Sequence, residues 1–224
     1  LDYVRPIIKQ VHWNQRLISI RGARGVGKTT LLLQYIKQTY GDNPTEAIYV
    51  SLDNLYFSRH TFIDFVEDFY KMGGKCIFAD EVHKYHGWSQ ELKNAYDAFP
   101  DMRFVITGSS VLNILNSDAD LSRRCINYNM QGLSFREYLA LCEGLEFDQT
   151  DLPSLLEEPD KLCMAVNEKC RPLVHFDRYL KTGYYRLFWK GKRTIMNAYR
   201  MLQILYWKLS CHNCAVLMCP ISES

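Results

Sequence analysis

The sequence predicts an α/β fold whose sheet is mainly parallel, and three observations support this prediction. Short apolar segments alternate along the chain with segments of helical periodicity, which is the pattern of repeated strand–helix–strand units. A glycine-rich segment, RGARGVGKTTLL (residues 21–32), lies where the first predicted strand is followed by the first predicted helix. The chain has 224 residues, of which 47% are hydrophobic, enough to bury one core and a small appendage.

The first two strands and the helix between them are predicted from composition and from turn residues. LISIRG (17–22) and EAIYVSLD (46–53) are short apolar segments rich in β-branched residues, as strands are. KTTLLLQYIKQTY (28–40) lies between them and has helical periodicity. Gly41 and the turn GDNP follow it, and we expect the helix to end there.

The next four elements continue the alternation. TFIDFVEDFYKM (61–72) places three phenylalanines and a valine on one helical face. KCIFADE (75–81) predicts a third strand, and WSQELKNAYDAF (88–99) predicts the helix after it. RFVITGSS (103–110) predicts the fourth strand.

Three shorter elements complete the pattern. VLNIL (111–115) predicts a short helix, CINYNM (125–130) a fifth strand and SFREYLALCEG (134–144) another helix. The sequence contains no internal repeat and no low-complexity linker.

Composition indicates a cytoplasmic protein without a membrane segment. The sequence has no apolar run of about 18 residues and no apolar core of a secretory signal at its start. In such a compartment its eight cysteines are expected to be reduced thiols. The net charge is −3 in residues 1–185, which gives no support for nucleic-acid binding. Because the sequence starts at Leu1, we expect it to be a fragment or a trimmed chain.

The glycine-rich segment fits the phosphate-binding pattern G-x-x-x-x-G-K-[ST], between a predicted strand and a predicted helix. Its glycines let backbone N–H groups turn inward around a phosphate, and the helix N-terminus adds its positive dipole end. Lys28 would reach the β- and γ-phosphates, and the Thr29 hydroxyl would coordinate Mg²⁺. The alternative is a strand-to-helix turn that binds nothing. The predicted nucleotide-binding residues are Gly22, Ala23, Arg24, Gly25, Val26, Gly27, Lys28, Thr29 and Thr30.

Two carboxylates end the third predicted strand, at the sheet edge where parallel sheets bind ligands. Asp80 would hold Mg²⁺ through water, so the predicted metal residues are Thr29 and Asp80. Glu81 follows directly and could polarise an attacking water as a general base. The alternative is a strand that ends in a solvated acidic turn.

The fourth predicted strand ends in VITGSS, and a polar residue there could contact the γ-phosphate or its water. This expectation applies to P-loop ATPases with a strand inserted between the strands that carry the loop and the acidic pair. Thr107 is the first choice and Ser109 the second. The alternative is helix capping, since Ser109 or Ser110 can cap the short helix after them.

Arginines near the fifth predicted strand are further candidates. Arg124 or its neighbour Arg123 could meet the γ-phosphate held by an adjacent subunit and spread charge in the transition state. The alternative is an arginine pair on a solvated helix end. Arg136 and Glu137 could form an ordinary surface ion pair.

Four blocks in order, RGARGVGKTTLL, FADEVHKYHGWSQELKNAYD, FVITGSS and LSRRCINYNMQGLSFREYL, carry a resemblance. They resemble the prokaryotic ATPases with an AAA-type P-loop core followed by a poorly characterised C-terminal domain. The resemblance covers roughly residues 10–140. It implies a P-loop NTPase three-layer sandwich that binds ATP and Mg²⁺, followed by a small, partly helical C-terminal segment.

The resemblance also bears on individual residues. It keeps Lys28, Thr29, Asp80 and Glu81 in the roles derived above. It places Thr107 in the sensor block and aligns Arg124 with the arginine before the last core strand. His83 and Lys84 lie in the second block, where we assign them a core or surface role rather than metal binding, although His86 is near.

The tail departs from the family pattern, and we hypothesise a frameshift near Arg186. Residues 186–224 have a net charge of +5, and codons for them read one base earlier can encode a family-like continuation. CHNC and Cys219 then form no zinc site. Sequencing the gene tests the hypothesis. The predicted organisation is a P-loop core (1–140), a helical linker and start of the C-terminal region (141–185), and an atypical tail (186–224).

The predicted function is Mg²⁺-dependent ATP hydrolysis to ADP and phosphate, used as a motor or switch on an unidentified protein client, and a homo-oligomer is one possible state. The altered tail could impair turnover, so one alternative is a nucleotide-binding protein with little or no hydrolysis. Another is a small-molecule kinase, which would need an acceptor pocket and a mobile lid, and the sequence has no clear lid. The adenine preference follows from the resemblance and from the absence of an evident N-K-x-D guanine motif.

Overall fold

The computed structural model describes residues 3–108 and 119–184. The strands are β1 Leu17–Arg21, β2 Ala47–Ser51, β3 Cys76–Asp80, β4 Arg103–Gly108 and β5 Ile126–Asn129. The helices are α1 Lys28–Tyr40, α2 Phe62–Lys71, α3 Trp88–Ala98, α4 Ala119–Arg124, α5 Phe135–Tyr138, α6 Leu152–Glu157, α7 Pro159–Lys169 and α8 Pro172–Arg178. Single turns of 3₁₀-helix span Pro6–Lys9, Leu55–Ser58 and Val82–Lys84, and π-turns span Leu139–Glu143 and Tyr179–Gly183.

The five strands form one parallel sheet in the order β2-β3-β4-β1-β5. The fourth strand therefore lies between the strand that precedes the glycine-rich loop and the strand that ends at Asp80. Because all strands run the same way, their carboxyl ends meet at one edge of the sheet. The predicted α/β fold with a parallel sheet is confirmed.

Helices cover both faces of the sheet, which gives the three layers of a P-loop NTPase sandwich. Side chains alternate along β1, so that Leu17 packs on one face and Ile18 and Ile20 pack on the other. The face of Leu17 is covered by α2 and α3, whose apolar side chains join it in one cluster. The opposite face is covered by α1 and by the N-terminal segment around Ile8.

Four predicted strands, the first, second, third and fifth, are one to three residues too long, and three predicted helices, 61–72, 88–99 and 134–144, also extend past the observed ends. Segment 46–53 pairs with the sheet only over Ala47–Ser51, because turn residues such as Asp53 begin before the apolar composition ends. The helix predicted at 134–144 is α-helical over Phe135–Tyr138 and then continues as a π-turn that ends at Gly144. Gly144 has φ +67°, which ends a helix readily.

The helices after the core are short and exposed. No residue of α6, α7 or α8 is buried, and several large apolar side chains there face solvent, including Leu156 and Leu173. Between residues 141 and 184 the chain has no helix over 144–151, and the last helical turn ends at Gly183. Within the described ranges, no helix combines the length and the apolar character that crossing a membrane requires.

Several predictions fall outside the described residues. They concern Ser109 and Ser110, the short helix at 111–115, and the tail at 186–224 with its cysteines. The frameshift hypothesis and the predicted domain boundaries therefore stay predictions.

Candidate nucleotide-binding site

The loop after β1 has the backbone that a phosphate cradle needs. Gly25 and Gly27 have φ of +87° and +101°, in the left-handed region that glycine adopts without strain. At Gly22 a Cβ atom would lie 2.3 Å from the Met130 carbonyl oxygen, so the loop can pass β5 only without a side chain there. Both features hold the loop at the N-terminus of α1, where the helix dipole favours an anion.

The Lys28 ammonium lies inside this loop. Its Nζ donates to the carbonyl oxygens of Gly22 at 2.9 Å and Ala23 at 3.1 Å, and the residue is buried. Burial lowers the pKa of Lys28, and the nearby Glu81 and Asp80 carboxylates oppose that shift. The loop therefore holds one cation beside its backbone amides, which is the charge that a phosphate group would meet.

The Asp80 carboxylate, at the end of β3, is 2% exposed and is surrounded by hydrogen-bond donors. The Thr29 hydroxyl donates to Asp80 Oδ2 at 2.6 Å, so the predicted metal residues lie in contact. The Thr107 hydroxyl and the Glu81 N–H donate to Oδ1, the latter at 3.1 Å. A carboxylate and a hydroxyl are oxygen donors of the kind that Mg²⁺ prefers beside a substrate phosphate, so this pair fits the ion.

Tyr49 on β2 completes the surroundings of Asp80, and no sequence motif pointed to this residue. Its hydroxyl donates to Asp80 Oδ2 at 2.8 Å. Tyr49 looked like an ordinary aromatic strand residue. Its contact arises because β2 is the parallel neighbour of β3, with Ser51 opposite Asp80 in the register. In the sequence, the one signal for this contact is a tyrosine near the end of a strand that neighbours the strand of Asp80.

Glu81 has an unusual backbone. It is the one non-glycine residue with positive φ in the described ranges, at +54°. Its N–H is held by Asp80 Oδ1 and by Thr107 Oγ1 at 3.2 Å. Its carboxylate is partly exposed and lies 3.4 Å from His83 Nε2. Strained backbone of this kind persists where surrounding contacts hold it, typically at functional sites.

Thr107 lies at the end of β4 and is fully buried. Its hydroxyl donates to the Asp80 carboxylate and accepts from the Glu81 N–H. The side chain thus connects the two acidic residues. The structure brings together Lys28, Thr29, Asp80, Glu81 and Thr107 at the carboxyl edge of the sheet.

The other predicted loop residues differ in exposure. Gly22, Val26 and Thr30 are buried, Ala23, Gly25 and Gly27 are half-buried, and Arg24 is exposed. The side chain of Val26 belongs to the core below the loop, together with Leu31 and Ile20. Only backbone groups of Val26 are therefore available to a ligand.

Arg124 lies at the opposite, amino edge of the sheet. It precedes β5, whose first residue pairs with Ile18 near the start of β1. Its guanidinium forms an ion pair with Asp97 and lies 5.4 Å from the ring centre of Tyr96. A five-residue strand is about 17 Å long, so the structure does not bring Arg124 to the loop of its own chain. Arg123 beside it is exposed.

The expectation of a surface ion pair between Arg136 and Glu137 is wrong. Glu137 is 8% exposed and pairs instead with the buried Arg5, with Nε to Oε1 at 2.8 Å. Its other oxygen accepts from the Ser134 N–H at 2.8 Å in a capping box. Sequence proximity suggested the wrong partner, because the true one lies 132 residues away.

Comparisons with known proteins bear on the family and the fold of this chain. A model of the family described as AAA domain matches residues 14–139. An uncharacterized protein of Methanocaldococcus jannaschii is 32% identical in an alignment 152 residues long that covers 64% of this chain. The chain spans only 31% of the length of that relative.

Several solved structures are similar in fold to this chain. A DNA replication initiation factor superposes with a TM-score of 0.52 and 16% identity, over 90% of this chain and 61% of the other. AMPPCP-bound DnaA from Aquifex aeolicus gives a TM-score of 0.46 at 17% identity, over 93% of this chain and 68% of the other. Hsp104 of S. cerevisiae, in complex with casein, gives 0.48 at 20% identity, over 65% of this chain and 30% of the other.

The family match covers more than half of the chain, and the five-stranded parallel sheet agrees with it. The resemblance inferred from the sequence is therefore confirmed, and the fold is that of AAA-type P-loop ATPases, which supports nucleotide binding. This chain belongs to the AAA domain family.

Proposed function

We propose that this chain binds Mg·ATP at the loop after β1 and hydrolyses it to ADP and phosphate. The observation that carries the proposal is the contact between the Thr29 hydroxyl and the Asp80 carboxylate, 2.6 Å apart, beside the buried Lys28 ammonium. This places two magnesium-type ligands next to an anion-binding loop at a helix N-terminus.

Each residue then has a role in binding or in proton movement. Backbone amides of the loop and the Lys28 ammonium hold the β- and γ-phosphates, while Thr29 and Asp80 hold the metal. When bound, Mg²⁺ neutralises charge that develops on the phosphate oxygens. Glu81 accepts the proton of the attacking water on its carboxylate. Thr107 fixes the Asp80 carboxylate and the Glu81 backbone, and in this proposal it responds to the γ-phosphate through them.

Arg124 acts in trans in this proposal. It lies at the sheet edge opposite its own loop, so it can reach a γ-phosphate only in an adjacent copy of the chain. Hydrolysis would then depend on assembly into a homo-oligomer, and a motor or switch that acts on a protein client would use this dependence. The proposed location is the cytoplasm.

Two other functions are distinguished by one assay. Phosphate release from Mg·ATP is measured for the wild-type chain and for Glu81→Gln, with and without hydroxyl-bearing small molecules as acceptors. An ATPase releases phosphate without any acceptor, and Glu81→Gln strongly lowers the release. Phosphorylated acceptor without free phosphate would instead indicate a small-molecule kinase. Binding of Mg·ATP without either product would indicate a nucleotide-binding protein with little turnover.

A further inference from the structure

A buried arginine outside the glycine-rich motif holds one peptide group of the loop. Arg5 is 6% exposed, although it belongs to the N-terminal segment before the first strand. Its Nη1 donates to the carbonyl oxygen of Val26 at 3.0 Å. Val26 is the residue before Gly27, where the loop turns into α1.

All five N–H groups of this guanidinium have acceptors. Besides Val26, Nη1 donates to the carbonyl of Gln131 at 3.0 Å, and Nη2 donates to that of Gly132 at 3.0 Å. Nε and Nη2 donate to the two carboxylate oxygens of Glu137, at 2.8 and 3.1 Å. A planar guanidinium with every donor satisfied has one orientation, so Arg5 is a fixed support for the Val26 carbonyl.

The charge of Glu137 is maintained in this setting. Burial alone would raise the pKa of Glu137, but the hydrogen bonds from Arg5 and from the Ser134 backbone outweigh burial and leave the pKa lowered. Arg5 and Glu137 thus remain an ion pair at neutral pH. Two further contacts anchor the N-terminal segment: Gln34 of α1 donates to the Tyr3 carbonyl at 2.8 Å, and Ile8 packs in the same core as Val26.

Peptide geometry transmits this support to the cradle. In a trans peptide the C=O of one residue and the N–H of the next point in opposite directions. The bond from Arg5 to the Val26 carbonyl therefore also fixes the direction of the Gly27 N–H. Gly27 has φ +101° and no side chain, so without that bond little prevents the peptide group from rotating.

We propose that Arg5 is a positioning residue for nucleotide binding, which fixes the Val26–Gly27 peptide so that the Gly27 amide faces the phosphates. This inference rests on the proposed function. The ion pair with Glu137 orients the guanidinium and ties the same peptide to the segment at 131–137. Displacement of that segment would thereby change the affinity of the loop for nucleotide.

The test is calorimetric titration of the wild-type chain, Arg5→Lys and Glu137→Gln with Mg·ATP. A lysine keeps the positive charge but cannot reach all the acceptors. We expect Arg5→Lys to weaken binding about tenfold, equivalent to about 1.4 kcal/mol, and Glu137→Gln to weaken it by a smaller factor. Arg16→Lys is the matched control, because Arg16 donates to two backbone carbonyls, Tyr96 and Phe99, at the other edge of the sheet.

A second measurement needs no nucleotide. Amide hydrogen exchange at Gly27 should be faster in Arg5→Lys than in the wild type and unchanged in Arg16→Lys, with all three chains folded by circular dichroism. If Arg5→Lys fails to fold, Glu137→Gln takes its place in both measurements. Unchanged affinity and exchange, or equal losses in the Arg5 and Arg16 variants, would overturn the inference. A wild-type chain that binds no Mg·ATP would instead refute the proposed function, while the exchange data still decide whether Arg5 holds the peptide.

Discussion

The two edges of the parallel sheet carry different kinds of polar structure. At the carboxyl edge, Asp80 is nearly fully buried and accepts hydrogen bonds from Thr29, Tyr49, Thr107 and the Glu81 backbone. At the amino edge, Arg124 and Asp97 form a partly exposed ion pair. A buried and fully bonded network is organised before a ligand arrives, whereas an exposed ion pair is worth little and exchanges partners easily.

In a single chain, only the half of the proposed site at the carboxyl edge is complete. The carboxyl edge contains the groups proposed for binding nucleotide, metal and water. At the amino edge, Arg124 is too far from the loop of its own chain to contact a phosphate bound there, but it could contact a phosphate bound to a second copy. The comparison therefore predicts that binding is a property of one chain and that turnover is a property of an assembly.

The largest expected effect tests the amino edge. Arg124→Ala should lower turnover about a thousandfold at chain concentrations where the wild type assembles, because an arginine supplied in trans stabilises transition-state charge. Mg·ATP affinity should stay within about twofold of the wild type. The measurement is phosphate release against chain concentration, with Arg123→Ala as the adjacent control. Wild-type turnover per chain that is independent of concentration, in a chain proven monomeric, would contradict the comparison.

A somewhat smaller effect is expected at the carboxyl edge. Glu81→Gln should lower turnover about a hundredfold or more, because the amide cannot accept the proton of the attacking water. The glutamine side chain is close in size to glutamate, so Mg·ATP binding should persist. Single-turnover phosphate release and equilibrium binding separate the two quantities. Equal losses in the rate of phosphate release and in Mg·ATP affinity would mean that Glu81 supports the fold of the site rather than the reaction.

The next effect sharpens the description of the Asp80 network. Tyr49→Phe removes one hydroxyl that donates to Asp80 Oδ2 and leaves the ring in place. We expect the affinity for Mg²⁺ in the presence of ATP to fall about tenfold, the usual scale for a group that orients a metal ligand. Tyr96→Phe, at the other edge, is the control. Identical Mg²⁺ titrations of the Tyr49 variant and the wild type would show that the hydroxyl is dispensable.

The smallest effect concerns stability and pH. The pKa of Glu137 is lowered in the folded chain from an ordinary value of 4.5, so the ion pair with Arg5 stabilises the fold fully above that pH. The contribution is lost as pH falls through the lowered value. The wild type should therefore have a higher Tm than Glu137→Gln at neutral pH, and this difference in Tm should become smaller on acidification. A difference in Tm that grows in acid would contradict the assigned ion pair.

Local motifs explain what could be predicted from the sequence. The loop residues lie within nine positions, and Asp80 and Glu81 are adjacent, so covalent spacing alone brings most of each group together. The sheet edge where both belong follows from the parallel arrangement. Strand ends were less accurate, since pairing stops where turns begin rather than where apolar composition ends.

Long-range partners explain what could not be predicted. Tyr49 meets Asp80 because β2 is placed beside β3, and Arg5 meets Glu137 across 132 residues. Neither contact leaves a pattern in the spacing of the residues. The ion pair suggested between Arg136 and Glu137 followed from adjacency in the sequence, but Glu137 pairs with the buried Arg5 instead.

We propose above that the loop with Lys28 and the Asp80 carboxylate together hold Mg·ATP. Calorimetric titration of ATP, with and without Mg²⁺, into the wild-type chain and into Lys28→Ala tests it most directly. We expect Mg²⁺-dependent binding to the wild type and a loss of at least about a hundredfold in affinity when the ammonium is removed. Equal affinity of the two chains for Mg·ATP would contradict it.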